Sequence, residues 1–429
     1  MDSDVTKSKQ NSDKISALSY AAGSFGTGVF STVPSVLLLY YCTETLLLAP
    51  QAVAIILVLP KLCSIVWDPY VGAWSDAVRS SWGRRRPFMI VGAAGTSLLF
   101  AAVFSPPDFT PPLLLLWVAL AYFTMNAFYS LFAVPYTAVP AEIAGNGAMT
   151  LRLVGARMMV LMIGILAGAA GAPVLIAAFD GGRDGYAAMG TIVAAACFIA
   201  MLLPIRMLSR HDYFSDTSWR PPSIGNHLAG MRVTLANRAY RCLLFSFLAQ
   251  AAAYGGVSAA LPYIISQMLG RNEADIGAGL GVVIIASFAT VPIWTIAGKR
   301  LGFAAGIAIA GIGYALATMS LAISIYVAGS WGVALLLMGV AGTFFAGLQV
   351  LPFSFAAEIV RSTAPAEEAK FAGLWVAAEK FGLAGGAAIL SLVLALGNDA
   401  VVSTLYAGIA PMVLVLLSLP WLFASTRTA

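Results

Sequence analysis

Residues 51–87 read QAVAIILVLPKLCSIVWDPYVGAWSDAVRSSWGRRRP. The first part is an apolar run close to the ~20 residues that a helix needs to cross a bilayer, and a basic loop follows it directly. The same alternation divides the whole chain into about twelve apolar stretches. These stretches are long and continuous, which excludes the ~10-residue alternating strands of a membrane β-barrel. The sequence therefore predicts an all-α membrane protein with twelve transmembrane helices.

The distribution of basic residues predicts the topology. Lys and Arg lie in every second gap between the apolar stretches, and the opposite gaps contain only Arg183 and Arg271. Cytoplasmic loops are the ones that carry this excess of positive charge. We therefore expect both termini to be cytoplasmic and the membrane to be a bacterial inner membrane. We place the spans near residues 17–42, 51–73, 88–105, 112–138, 158–178, 186–206, 242–264, 275–297, 303–327, 331–356, 371–396 and 400–423.

Composition excludes several classes of protein. Hydrophobic residues make up 60% and charged residues 10% of the 429 residues, whereas soluble proteins contain roughly 25% charged residues. The net charge of +5 follows from the cytoplasmic loops and does not indicate nucleic-acid binding. The chain has no phosphate-binding loop, no catalytic triad and no metal-ligand spacing among its four cysteines. We expect neither an enzyme nor a cofactor or metal site, but a monomer in the lipid bilayer.

The chain consists of two similar halves. The polar segment Met207–Arg241 predicts a cytoplasmic linker between a bundle at 1–206 and a bundle at 242–429. The fourth span ends in Val134-Pro135-Tyr136-Thr137 and the tenth in Leu351-Pro352-Phe353-Ser354, and a glutamate follows each. Two six-helix repeats around a central pathway are typical of transporters, whose substrate site lies at the midplane.

The loop after the second span carries the first recognisable motif. Gly72 and Asp76, followed by Gly83-Arg84-Arg85-Arg86-Pro87, resemble the loop between helices two and three of the major facilitator superfamily. Gly72 would permit close helix approach, and Asp76 could pair with a basic group in one conformation only. The resemblance implies a conformational gate formed by Gly72, Asp76, Arg84 and Arg85. The alternative is a simple positively charged anchor.

A narrower resemblance extends over both halves. The chain is similar to the glycoside–pentoside–hexuronide:cation symporters at Leu18-Ser19-Tyr20, Gly23-Ser24-Phe25-Gly26, Asp68-Pro69, Ser81-Trp82-Gly83, Arg152-Leu153, Arg157, Asn237-Arg238, Gly373, Trp375 and Lys380. It departs from the melibiose-transporting member of that family in three places. Ser64 stands where that permease has a second cation-binding aspartate, and Gly28 and Ala133 stand at its sugar-binding aspartates. The resemblance therefore supports the fold and a transporter, but not melibiose as the solute.

Four charged residues lie within apolar spans, where a charge costs several kcal/mol unless it faces a partner or a cavity. They are Lys61, Asp68, Glu379 and Lys380. Lys61 and Asp68 are two helical turns apart, with Ser64 between them. We expect Asp68 and Lys380 to exchange partners as substrate and a proton move; the alternative is a fixed ion pair between helices. With Ser64 replacing one carboxylate we expect proton coupling, although hydroxyl and backbone oxygens could complete a sodium site.

Seven further polar or aromatic residues could line a solute cavity. Each could instead serve helix packing or interhelical hydrogen bonding, and Arg157 could extend to the membrane interface. The seven are Arg157, Asn126, Tyr129, Gln250, Tyr254, Gln349 and Trp375. The sequence thus predicts a secondary transporter that moves a small organic solute by alternating access. The alternatives are an exporter of amphipathic or drug-like compounds and a receptor or scaffold without transport activity.

Overall fold

A computed structural model describes residues 17–78, 80, 82–143, 147–208, 235–327, 329–363, 368–395 and 399–426. Within these residues, twelve helices are long and apolar enough to cross a membrane. They are α1 Gly23–Tyr40, α2 Pro50–Ala77, α3 Arg86–Phe104, α4 Pro111–Ile143, α5 Gly147–Leu166, α6 Gly182–Leu208, α7 Arg238–Tyr263, α8 Glu273–Leu301, α9 Phe303–Val327, α10 Trp331–Thr363, α11 Glu368–Leu394 and α12 Asp399–Thr426.

The chain is thus a multi-pass membrane protein, and the predicted twelve-span fold is confirmed. Each predicted span overlaps one helix. Helix α6 runs to Leu208 and helix α7 begins at Arg238, so both ends of the predicted linker are helical. Residues 209–234 of that linker lie outside the described residues.

Backbone chemistry explains why the spans are helices. Hydrocarbon offers no hydrogen-bond partners, so each span must satisfy its N–H and C=O groups internally. Where a helix begins in a loop, a side chain can accept from a free N–H group of the first turn. Asn237 accepts from the Tyr240 N–H, and Asn272 accepts from the Asp275 N–H, each at 3.0 Å. At the other end of α8, Lys299 and Arg300 lie in the last turn, where the helix dipole favours positive charge.

Three spans contain π-helical turns. The first span continues past α1 through the π-helical segment Tyr41–Thr45, and the seventh continues past α7 through Ile264–Met268. In the fifth span, the π-helical segment Ala167–Gly171 leads into a short helix, Ala172–Ala178. The sequence patterns did not predict these turns.

The described residues form two compact units. One comprises Met1–Pro34 and Leu62–Pro222, and the other comprises Ser35–Lys61 and Ser223–Ala429. The second unit therefore includes the end of the first span and the start of the second, which differs from the predicted boundary in the linker. The physical reason is a set of contacts that Tyr40–Pro50 makes with α7, its π-helical segment and α11.

Glycines allow close helix contacts in both units. In the first unit, a β-carbon at Gly164 would lie 2.5 Å from the Phe25 carbonyl oxygen, and one at Gly168 would lie 3.3 Å from the Val29 Cα. In the second unit, β-carbons at Gly382 and Gly386 would meet Leu248 and Ala252 in the same way. Both glycine pairs are four residues apart, as are both sets of partners. Spans 1 and 5 therefore pack as spans 7 and 11 do, which confirms the internal repeat.

We predict that Gly386→Ala lowers the thermal stability of the purified protein, because the new β-carbon would overlap the Ala252 carbonyl oxygen on α7. Overpacking of this kind costs about 1–3 kcal/mol. The adjacent Gly385 is the matched control, since nothing lies within 4 Å of its β-carbon position. Gly385→Ala should leave the melting temperature in detergent unchanged. Equal melting temperatures for the two variants would contradict this packing.

Candidate functional site

Helix α2 presents the polar face that the sequence predicts for cation coupling. Lys61, Ser64 and Asp68 are half-buried, and the Oδ1 atom of Asp68 is fully buried. Trp67, next to Asp68, donates from Nε1 to the Ala127 carbonyl oxygen of α4 at 3.0 Å. This bond fixes the rotation of α2 against α4. The bond therefore holds the turn of α2 that carries Asp68 against α4.

Tyr136 is the centre of the polar network in the first unit. Its hydroxyl donates to the Tyr20 carbonyl oxygen at 2.7 Å and lies 2.8 Å from Ser24 Oγ. The Tyr20 hydroxyl in turn donates to the Tyr136 carbonyl oxygen at 3.0 Å, and the two rings are 4.8 Å apart. This reciprocal pair ties the first span to α4. Tyr136 was predicted only as part of the repeat, and this network was not predicted.

Arg157 lies over this network. Its guanidinium carbon is 5.5 Å from the centre of the Tyr136 ring, a cation–π distance. Its Nε atom is buried and has no hydrogen-bond partner among the described residues. A half-buried guanidinium with a spare donor can hydrogen-bond an oxygen of a solute. The structure therefore gives Arg157 a defined position within the bundle, and its predicted role in substrate binding stays a prediction.

Asn126 and Tyr129 each donate to a backbone carbonyl oxygen. The Asn126 amide donates to the Tyr122 carbonyl oxygen of its own helix at 2.8 Å. The Tyr129 hydroxyl points to the Thr27 carbonyl oxygen of the first span at 3.4 Å. Both residues are half-buried. These contacts fit the helix-packing alternative, since each side chain uses a donor on a neighbouring backbone carbonyl.

The second unit holds a second polar group of residues. Gln250 is 1% exposed; its amide donates to the Ser246 and Ser418 hydroxyls, and its Oε1 atom has no partner among the described residues. One turn along α7, the buried Tyr254 hydroxyl lies beside Gln349, without the geometry of a hydrogen bond, and within electrostatic range of Glu379. Glu379 is also within range of Lys380 on the same helix. Helices α7, α10 and α11 thus place Tyr254, Gln349 and Glu379 near one another.

Trp375 occupies the position in the second half that Arg157 occupies in the first. Arg157 lies seven residues before Gly164, and Trp375 lies seven residues before Gly382. Arg157 contacts Tyr136 of the fourth span, whereas the Trp375 ring meets Phe353 of the tenth at 6.5 Å. Trp375 also stacks on Phe247 at 4.2 Å and is 3% exposed. At equivalent positions, the first half thus has a guanidinium over a tyrosine ring, and the second half has a cluster of apolar aromatic rings.

The four predicted gate residues differ in their surroundings. Arg85 is buried and donates to the Pro135 carbonyl oxygen at 3.0 Å, which links the basic loop to α4. Arg84 is half-buried, and the Asp76 side chain lies outside the described residues. A β-carbon at Gly72 would meet Val134 at 3.4 Å, an ordinary contact. Gly72 thus makes only an ordinary contact with α4, and its part in a gate stays a prediction.

The family follows from comparison with known sequences. The sequence model of the family described as MFS/sugar transport protein matches residues 19–424. The chain belongs to this family. The resemblance to the major facilitator superfamily is thus confirmed. The family's members are transporters, which agrees with the prediction that the chain is not an enzyme.

Curated relatives are similar to this chain over parts of its length. The uncharacterized symporter YnaJ of Bacillus subtilis is 27% identical over 184 residues, 42% of this chain and 40% of that protein. The putative glycoside/cation symporter YagG of Escherichia coli is 25% identical over 129 residues, 30% and 28% of the two chains. A lactose permease of Lactobacillus delbrueckii is 31% identical over 127 residues, 27% and 20%. The chain thus spans less than half the length of these relatives.

Solved structures support the major-facilitator fold. A point mutant of the nucleoside transporter NupG superimposes with a TM-score of 0.70 at 14% identity, over 96% of this chain and 99% of that one. A D-xylose–proton symporter superimposes with a TM-score of 0.66 at 15% identity, over 94% and 96%. At such low identity the agreement shows the fold alone.

The structure explains one departure from the family resemblance. Gly28 stands where the melibiose-transporting member has a sugar-binding aspartate. A β-carbon at Gly28 would lie only 2.6 Å from the Leu161 carbonyl oxygen of α5. No carboxylate side chain fits there while spans 1 and 5 pack this closely.

We predict that Tyr136→Phe lowers the free energy of unfolding by about 1 kcal/mol, and with it the melting temperature of the purified protein. The variant lacks the hydroxyl that bonds the Tyr20 carbonyl oxygen and Ser24 Oγ. The ring, and with it the contact to Arg157, is kept. Tyr70→Phe on α2 is the control, since that ring is exposed. Comparable losses in the two variants would show that the hydroxyl network does not stabilise the first unit.

Proposed function

We propose that this member of the MFS/sugar transport family is a proton-coupled symporter that moves a small organic solute by alternating access. The observation that carries the proposal is Asp68, a carboxylate within the membrane-spanning part of α2 whose Oδ1 atom is buried. An ionisable group at such a depth is costly and indicates a transport or relay function. A receptor or scaffold would not require a buried carboxylate at this position.

The residues around Asp68 favour a proton over sodium. A sodium site needs several oxygen ligands, and carboxylates supply the strongest of them. One turn before Asp68, where the melibiose-transporting member has the first of its two aspartates, the chain has Ser64, which brings no charge. A single carboxylate can still bind and release one proton. The pairing of Asp68 with Lys380 during this cycle stays a prediction.

The class of solute follows from the groups that remain. YagG is named as a glycoside/cation symporter, and other relatives are named lactose permease and isoprimeverose transporter. In this chain Arg157 supplies a spare donor over an aromatic ring, while Gly28 excludes an acid. Donors and aromatic faces suit a neutral, hydroxyl-bearing solute such as a glycoside. Uncharged glycosides are therefore the first solutes to screen by thermal shift.

A second candidate function is export of an amphipathic compound. The observation that favours it is the aromatic cluster of Trp375, Phe247 and Phe353 in the second unit, at the position equivalent to Arg157. Such a surface suits apolar solutes better than sugars. Stabilisation by hydrophobic dyes and not by any glycoside, together with transport towards the side opposite the termini, would favour export.

We predict that both termini and the central linker are cytoplasmic, in an inner membrane. Alkaline phosphatase fused after Arg220 should be inactive, whereas the same fusion after Arg271 should be active, because basic loops stay inside. The order of the helices supports the contrast, since Arg271 follows the seventh span and the linker follows the sixth. Equal activity of both fusions would refute this topology.

We predict that a pH gradient drives accumulation of the solute and that a sodium gradient at equal pH does not. In proteoliposomes, Asp68→Asn should abolish accumulation and leave downhill exchange, since exchange needs no net proton movement. Asp184→Asn, an exposed carboxylate at the start of α6, is the control and should accumulate solute normally. Accumulation by the Asp68→Asn variant would rule out Asp68 as the coupling group.

A further inference from the structure

Two short segments of the second unit make a reciprocal contact. They are the π-helical ends of spans 1 and 7, Tyr41–Thr45 and Ile264–Met268, each with the tyrosine that precedes it. The Tyr40 hydroxyl donates to Ser266 Oγ at 2.8 Å, and the Tyr263 hydroxyl lies 2.5 Å from Thr43 Oγ1. The two rings meet edge to face with centres 5.0 Å apart.

The contact is built from equivalent residues of the two halves. In each segment a tyrosine is followed three residues later by a hydroxyl residue and then by a residue with a carboxylate or amide: Tyr40, Thr43, Glu44 and Tyr263, Ser266, Gln267. Each tyrosine bonds the hydroxyl residue of the other segment. The third pair also meets, since the Gln267 amide donates to Glu44 Oε2 at 2.5 Å. The two copies of the motif therefore contact each other through equivalent residues.

The backbone of the two segments matches as well. Leu46 and Leu269 donate to the first carbonyl oxygens of their π-helical segments, those of Tyr41 and Ile264. Leu47 and Gly270 follow in the left-handed conformation, with φ of 55° and 61°. Glycine adopts this conformation freely, whereas leucine does so at a cost. The first half adopts this conformation although the residue is leucine. The geometry of the turn is therefore required.

The hydrogen bonds between the two segments are of a kind that can both form and break. Each hydrogen bond between neutral groups contributes little, because the groups bond water when they separate. The third pair has one charge: two glutamates would repel each other, whereas glutamate with glutamine gives a charge-assisted bond without a buried ion pair. π-helical turns inside helices are frequent at functional sites. Both segments end spans that lead away from the side of the chain termini, since they close the first and the seventh of twelve spans.

We propose that Tyr40, Thr43, Glu44, Tyr263, Ser266 and Gln267 form a symmetric latch that holds the face opposite the termini closed and opens once per transport cycle. The latch rests on the proposed transport function, because alternating access requires that this face open in turn and that the two segments then separate. The latch goes beyond the coupling proposal, because its opening can be measured without any solute and without a proton gradient.

The test measures the distance across the latch. Spin labels are placed at Leu47→Cys and Arg271→Cys, two exposed positions just after the segments, in a variant whose four native cysteines are replaced. Pulsed electron paramagnetic resonance in nanodiscs then gives the populations of short and long distances. Tyr40→Phe, Tyr263→Phe and Ser266→Ala should each raise the ratio of long to short distances about fivefold, since each removes one hydrogen bond of the closed form.

Tyr406→Phe is the matched control. It removes a buried tyrosine hydroxyl that donates to the Gly386 carbonyl oxygen at 2.9 Å, in the same unit but outside the latch. Its ratio should equal that of the parent protein. Unchanged ratios in the three latch variants, or an equal rise in Tyr406→Phe, would overturn the proposal. If Tyr263→Phe fails to fold, Ser266→Ala decides, because it shortens a half-buried side chain and leaves both aromatic rings in place. Failure of the latch would leave coupling through Asp68 untouched.

Discussion

The absence of water in the hydrocarbon region is the constraint on which the rest of the structure depends. It forces every span to be a helix, and it also removes the hydrophobic driving force between helices. Close packing of small residues and interhelical hydrogen bonds must then hold the spans together. Gly164 against Phe25, and Gly386 against Ala252, show the first device. The Tyr20–Tyr136 pair and the bond from Trp67 to α4 show the second.

These devices also position the functional groups. Trp67 orients the turn of α2 that carries Asp68, and Tyr136 supplies the ring beneath Arg157. The two units use the same scaffold differently: the first places a guanidinium where the second places Trp375. The charges of the second unit lie instead on α11, where Glu379 and Lys380 are neighbours. An inherited repeat thus carries unlike side chains at equivalent positions of its two halves.

Span positions could be predicted from the sequence because length and hydropathy alone determine them, and the predicted stretch 303–327 coincides with helix α9. The closeness of two helices could not. Gly72 was expected to permit a close approach, and its β-carbon position makes an ordinary contact of 3.4 Å with Val134. Gly28 was noted only as a missing aspartate, and its β-carbon position lies 2.6 Å from the Leu161 carbonyl oxygen. Whether a glycine lies at a contact depends on which neighbour faces it, and one sequence holds no direct record of that. The polar groups were partly predictable: Tyr254 and Gln349 were singled out as polar residues and Glu379 as a charged residue in apolar spans, and the three lie near one another. The motif that Tyr40 shares with Tyr263 was missed, because its residues lie at span ends where polar side chains are common.

The central claim is that solute and proton move together through this protein. Its most direct test is proton flux in proteoliposomes that contain a pH-sensitive dye, with no gradient of pH or sodium at the start. The account predicts that a solute which stabilises the purified protein, added outside, acidifies the lumen at a rate that follows its concentration. Entry of that solute, shown by its radiolabel, without any change in luminal pH would contradict the account.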